Sequence, residues 1–506
     1  MSAVQSDTND SPLEGETTAG LLHLLWVVGV FATCAGLSYL VPQAEVVRPW
    51  VRGEPVPLFR LLERGEEVAV QGPTVAGAIT QPITSPRTPE GPSQAAIAAA
   101  RARDADERAA DGQPLLRIAP AEFEGVTRAI DHPENLAAFY AALASTASKK
   151  PSAITRVAHY GDSAVAADGI TSTMRRLMQT RFGDAGHGFA LTARGNMHYI
   201  HRDIRMRSGG DWDLMHIVRG PLRRGWYGYG GVQYRGSGGA NATFDTPDDT
   251  PVGTSASRFE VFFQKGRGGG DIRVSVDGDV VGTIETRAEV TEDAWQTFEV
   301  PDGEHSFSVR VGGRGAVTMY GVALERSVPG VVYDSLGLVG ARANRLLNAD
   351  AAHMRRQIAH RSPELLVLAF GGNESGDPYL VEDTYKQELR SILRMMRGND
   401  RSMSCLLFAP LDQGQKNARG AVETVKILPG IVAIQAEVAQ SEGCAFYNAF
   451  EAMGGEGSMW AWYKHRPRWA TSDFRHATPE GYEVMGEMFY KALLKGFAEY
   501  LAQNPQ

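Results

Sequence analysis

Cysteine is scarce in this chain, with three residues among 506. Three thiols cannot build a disulfide framework, and no C-x-x-C spacing points to a zinc or redox centre. Cationic blocks are missing as well. The net charge is -8, and no Lys/Arg-rich stretch is interleaved with aromatics, so nothing attracts a phosphate backbone and nucleic acid is excluded as a partner. Long apolar runs are absent apart from GLLHLLWVVGVFATCAGLSYLV, Gly20 to Val41, which is just long enough to cross a bilayer core. The tail before it is acidic (Asp7, Asp10, Glu14, Glu16), unlike the basic start of a cleaved signal peptide, so the segment reads as a transmembrane helix.

What is present is globular. With 43% hydrophobic and 22% charged residues the chain can bury a core, and its length calls for two folded domains plus extra segments. Residues 42–114 have weak periodicity, a Pro/Ala/Thr-rich stretch from Gly72 to Pro92 and the charged run RARDADERAADG, and are read as a linker. From 115 to 192 a helical stretch, NLAAFYAALAST, precedes a short strand, TRVAHY, a tight turn at Gly161-Asp162-Ser163 and a second helical pattern, ITSTMRRLMQTRFG. Between 193 and 327 alternating runs such as RFEVFFQ, IRVSVDG and HSFSVRV are separated by Gly, Asp and Asn, as in an all-β sandwich of jelly-roll kind. From 328 to 506 apolar runs suited to parallel strands return: VVYDSLG, ELLVLAFGG, SCLLFAP and CAFYNAF. The expected fold is therefore a three-layer α/β/α domain with a parallel sheet, interrupted by one inserted β domain. Cys405 and Cys444 open two of those strands and are expected to be free, buried thiols; only neighbouring strands in an oxidising compartment would let them pair.

A serine at the carboxyl end of a strand projects into the crevice where open α/β sheets bind ligands. Ser163 occupies such a place, with plain helix capping as the competing reading. Near the C-terminus, Asp473 and His476 share one loop at a spacing that lets the carboxylate hold the Nδ1 proton and leave Nε2 free to take a proton from a serine. Asn373 in Gly371-Gly372-Asn373-Glu374 and the glycines of Gly337-Leu338-Val339-Gly340 follow other strands. With the Ser163 N–H they would supply donors for an oxyanion. Aromatics precede Asp473: Trp460, Trp462 and Trp469 either stack on sugar faces, with nearby Lys or Arg meeting a carboxylate, or pack the loop onto the insert. The loop GWYGYGGVQYRGSGG, Gly225 to Gly239, is a further candidate for the edge of the cleft.

The four blocks GDS, GLVG, GGNE and DFRH, in that order and at strand ends, resemble the SGNH/GDSL hydrolase superfamily. The resemblance spans about 115–190 and 328–500 and implies Ser163 as nucleophile, His476 as base, Asp473 as its orienting acid, and Gly340 and Asn373 as oxyanion donors, with Gly337 an alternative to Gly340. Glu374 stands where an aspartate is common. The β insert makes the chain similar to bacterial peptidoglycan and polysaccharide O-acetylesterases and to envelope acetyltransferases. This implies removal of acetyl or other short acyl groups from an envelope polysaccharide, or from a small ester, without metal or organic cofactor. An acetyltransferase and a non-catalytic glycan-binding wall protein are the alternatives. Such enzymes usually work outside the cytoplasm, whereas Arg48, Arg52, Arg60 and Arg64 after the apolar segment favour a cytoplasmic C-terminal part; the expectation here is extracytoplasmic.

Overall fold

The computed structural model describes residues 116–505 apart from 195–198, 221, 249, 251 and 399–401. The acidic tail, the apolar segment Gly20 to Val41 and nearly all of the linker lie outside the described residues. Among the described residues no helix is long and apolar enough to cross a membrane.

Helix α1 (Ala137–Ala147) leads to strand β1 (Ile154–Gly161), a single turn α2 (Ser163–Ala166) and α3 (Gly169–Phe182). The sequence pattern put a tight turn at Ser163 and the following helix from Ile170, and the structure adds the single turn α2 between them. Asp168, in the left-handed region at φ 49°, separates α2 from α3, so any dipole at Ser163 is that of α2 alone.

Strands β2 (Gly186–Leu191), β3 (Arg205–Gly209), β4 (Trp212–His216), β5 (Val232–Gly236), β6 (Asn241–Asp245), β7 (Ala256–Lys265), β8 (Asp271–Val276), β9 (Asp279–Glu285), β10 (Glu292–Gly303), β11 (Ser306–Val311) and β12 (Val317–Glu325) follow. They form two antiparallel sheets, β10-β7-β12-β5-β4 and β3-β6-β11-β8-β9. β2, which the sequence pattern assigned to the first hydrolase segment, also pairs with β12. Alternation explains the sandwich. Phe259, Val261, Phe263, Val322 and Leu324 from one sheet meet Ile272, Val274, Phe307 and Val309 from the other. The opposite face of the first sheet carries Phe262 and Tyr320 toward the hydrolase layer.

The chain returns as β13 (Gly330–Gly337), α4 (Ala351–Arg361), β14 (Leu365–Ala369), α5 (Glu382–Arg397), β15 (Ser404–Phe408), the hairpin β16 (Gly414–Lys416) and β17 (Val422–Thr424), α6 (Leu428–Glu442), β18 (Ala445–Tyr447), α7 (Ala449–Ala452), α8 (Ser458–Lys464) and α9 (Pro479–Gln503). Five strands make one parallel sheet in the order β13-β1-β14-β15-β18. Its runs are apolar throughout because both faces are covered. Leu366, Leu368, Leu407 and Phe446 join Met354, Leu389 and Ile431 of α4, α5 and α6 on one side. Leu365, Val367, Leu406 and Tyr447 join Phe139, Met174 and Phe489 of α1, α3 and α9 on the other.

Two buried carboxylates tie insert to sheet. Glu325 on β12 accepts from Arg156 on β1 and pairs with Arg361 on α4, and Arg361 also holds Asp334 on β13. Cys405 and Cys444 are joined in a disulfide, Cα–Cα 4.8 Å, which corrects the expectation of free thiols. The reason is adjacency: β15 and β18 are neighbours, with Leu406 opposite Ala445, so Cys405 and Cys444 stand side by side one position earlier on each.

Candidate active site

Register decides what meets at the sheet edge. Gly161 lies opposite both Gly337 and Ala369, so β1, β13 and β14 end in line and the residues after each emerge together. Gly161 and Gly337 allow this close assembly. A Cβ on Gly161 would come within 2.3 Å of Val165, and one on Gly337 within 2.0 Å of the Ala166 nitrogen, so α2 can settle only over glycines.

The turn after β1 is fixed by Asp162, whose buried carboxylate accepts from the Ala164 N–H at 3.0 Å. Ser163 opens α2, which leaves its N–H without an intrahelical acceptor. Its hydroxyl lies 3.0 Å from Nε2 of His476, and Nδ1 of His476 lies 2.7 Å from Oδ2 of Asp473. The other Asp473 oxygen accepts from the Arg475 N–H at 2.8 Å, the His476 N–H at 3.1 Å and the Thr471 hydroxyl. Partial burial works to raise this carboxyl, but the bonds from Thr471, His476 and the backbone outweigh it and hold it at about 2. Phe474, in the left-handed region at φ 56°, folds the loop back, and its buried ring anchors it.

The structure thus brings Ser163, His476 and Asp473 into one hydrogen-bonded line. Asn373 joins them. Its Nδ2 donates to the Ala341 carbonyl at 2.9 Å and reaches Asp162 at 3.4 Å. Glu374 braces the same turn, accepting from the N–H groups of Ala343 at 2.7 Å and Gly371 at 3.0 Å. Burial pushes the Asp162 carboxyl up to about 6, against the bond from Ala164, and pushes Glu374 up to about 7. Gly340 sits at φ 75° in the turn closed by Ala341 and Leu338, joined to Asn373 through the Ala341 carbonyl. It does not line the cavity at Ser163. Gly337 serves packing against α2.

That cavity, about 80 Å³, has an apolar side of Val165, Ile170, Phe408 and Leu411 and a polar side that includes Asn373, Gln413 and Arg475. Gln413 and Arg475 were not singled out from sequence. Gln413 follows β15 as Asn373 follows β14, and that strand-end position was the available signal. Its Oε1 accepts from the Ser375 hydroxyl at 2.6 Å and from Arg475 at 3.2 Å.

Of the three tryptophans expected to contact sugar, only Trp460 is at the surface, 39% exposed. Trp462 and Trp469 are buried against each other, ring centroids 5.6 Å apart, in the hydrolase core and not on the insert. The Trp462 indole donates to the Met453 carbonyl at 3.1 Å, which satisfies its polar atom internally. The aromatic loop Gly225 to Gly239 is corrected in the same way. Tyr227, Tyr229 and Tyr234 are fully buried, and the Tyr229 hydroxyl donates to Asp334 between insert and sheet.

Residues 297–484 match the GDSL-like Lipase/Acylhydrolase family. No curated protein sequence matches the chain. Among solved structures, a peptidoglycan O-acetylesterase aligns with a TM-score of 0.59 and 21% identity, covering 72% of this chain and 96% of its own. A GDSL-like lipase from Bacteroides thetaiotaomicron aligns at TM-score 0.25 and 20% identity over 33% of this chain and 76% of its own. A family two carbohydrate esterase from Clostridium thermocellum aligns at TM-score 0.24 and 9% identity over 56% and 96%. The family match contains the GLVG, GGNE and DFRH blocks, carried by the parallel sheet at whose edge Ser163 also emerges, so residues 297–484 carry a GDSL-like lipase/acylhydrolase domain.

Proposed function

We propose that this hydrolase is a serine esterase that removes acetyl or similarly short acyl groups from a cell-envelope polysaccharide such as O-acetylated peptidoglycan. The observation that carries the reading is the line Ser163 Oγ, His476 Nε2, His476 Nδ1, Asp473 Oδ2, with links of 3.0 and 2.7 Å. Ser163 attacks the ester carbonyl as His476 takes its proton, and Asp473 holds the Nδ1 proton and steadies the imidazolium. The oxyanion receives bonds from the Ser163 N–H and the Asn373 amide, both at the cavity. The sugar hydroxyl leaves with the proton from His476. Water, deprotonated by the same imidazole, then releases the acid. The short apolar wall of Val165, Ile170, Phe408 and Leu411 supports a small acyl group, and the architecture shared with a peptidoglycan O-acetylesterase supports a glycan ester.

The Cys405–Cys444 disulfide supports work in an oxidising compartment, with the chain tethered to the membrane through Gly20 to Val41. The Ser163→Ala variant is expected to fold normally and lose roughly 10⁴-fold or more in kcat. Near-normal p-nitrophenyl acetate turnover by that variant would remove Ser163 from the mechanism.

A further inference from the structure

Beside the Ser163 cavity lies a ring platform that the acyl chemistry does not use. Trp460 stacks on Tyr463 at 5.5 Å and 23°, and both rings meet Phe474 edge-on, at 5.7 and 5.0 Å. Phe474 stands between Asp473 and Arg475, so the platform is built onto the loop that carries His476. Cations flank it. Lys464 lies over Trp460 at 5.1 Å and Arg468 over Tyr463 at 4.4 Å. Both side chains are on exposed residues, and Arg475 continues the row into the cavity itself.

None of Lys464, Arg468 and Arg475 has a carboxylate partner among the described residues, although most other arginines of the hydrolase layer do. Nearby Asp473 is already committed to His476 and Thr471. On a molecule of net charge -8, an acidic polymer is repelled at long range and gains attraction only from a local cationic surface. Cations held over stacked rings, with Trp460 39% exposed beside them, match a sugar unit bearing a carboxylate: the exposed indole edge packs on the pyranose, and the guanidinium meets the carboxylate.

We propose that Trp460, Tyr463, Lys464, Arg468 and Arg475 form a subsite for a carboxylate-bearing sugar unit next to the ester that Ser163 attacks, so that acylated acidic polysaccharides are preferred over neutral ones. This rests on the esterase reading above and names its substrate class.

The test uses a soluble glucan, oxidised at C6 to the carboxylate and then O-acetylated, against the same glucan acetylated to equal density without oxidation, with acetate release as the readout. Wild-type enzyme is expected to show a kcat/KM about five- to tenfold higher on the carboxylated polymer at low salt, falling toward parity as salt rises. The Lys464→Gln/Arg468→Gln double variant is expected to lose most of that preference, while Arg314→Gln, an exposed cation on the insert, keeps it. Equal wild-type rates on the two polymers would overturn the subsite and leave the esterase reading standing. A preference undiminished in the double variant would overturn its assignment to these residues. Turnover of p-nitrophenyl acetate with no acetate from either polymer would overturn the polysaccharide reading, and the subsite with it.

Discussion

Replacing Asp473 with asparagine tests the proposed acid–base roles more sharply than removing it. One Asp473 oxygen receives three donors, from Thr471, Arg475 and His476, and the other receives only Nδ1 of His476. Asparagine offers one acceptor side and one donor side. The carbonyl oxygen goes to the crowded side, because turning it around would leave three donors facing an NH₂ group, at about 0.5–1.5 kcal/mol for each bond forgone. The NH₂ group then faces Nδ1, which must act as acceptor, and the imidazole proton moves to Nε2, pointing at Ser163. In that tautomer His476 cannot take the serine proton, and the expected loss is about 10⁴-fold in kcat with little change in fold. Steady-state p-nitrophenyl acetate kinetics give the rate, and ¹⁵N NMR of the His476 ring gives the tautomer. A variant retaining kcat within about tenfold of wild type, or keeping its proton on Nδ1, would refute the reasoning.

Three further outcomes follow from the same geometry. Glu374→Gln can accept only one of the two N–H bonds its carboxylate now takes and should lose about 1–3 kcal/mol in denaturant unfolding. Because burial raises the Glu374 carboxyl from 4.5 to about 7, the fold favours its protonated form; that contribution is full below pH 4.5 and is lost as pH rises through about 7, so the variant's stability should be flatter over that window. Gly337→Ala would place its Cβ 2.0 Å from the Ala166 nitrogen, displacing the turn that presents Ser163, and should lower both Tm and kcat; unchanged values would mean α2 yields freely. The Cys405→Ala/Cys444→Ala pair opens a loop with a sequence separation of 39, which chain entropy converts to about 3–4 kcal/mol in denaturant unfolding; a loss below about 1 kcal/mol would show that β15 and β18 are held by packing alone.

How much of this was legible in the sequence depends on how local the deciding interaction is. The strands were readable because a sheet covered on both faces demands unbroken apolar runs, and LLVLA or SCLLF has no other comfortable home. The spacing of Asp473 and His476 was readable because both lie on one loop. The disulfide was not, since it depends on which strands become neighbours, and strand order is a property of the whole sheet. Glu374, Gln413 and Arg475 act through partners far along the chain, such as Ala343 and Ser375, and no periodicity marks them.

The tryptophans show where a local rule was present but went unused. Trp460 and Trp462 stand two positions apart, and in an α-helix such residues point about 200° away from each other. Once the segment is recognised as α8, they cannot both face the cleft: burying Trp462 against Trp469 turns Trp460 outward beside Tyr463. The same rotation leaves Lys464, four residues after Trp460, on the outward side and within reach of its ring, at 5.1 Å. The cation and the exposed ring are therefore consequences of one packing decision in the core, and a substitution that unseats Trp462, such as Trp462→Ala, should disorder the platform as well as destabilise the fold.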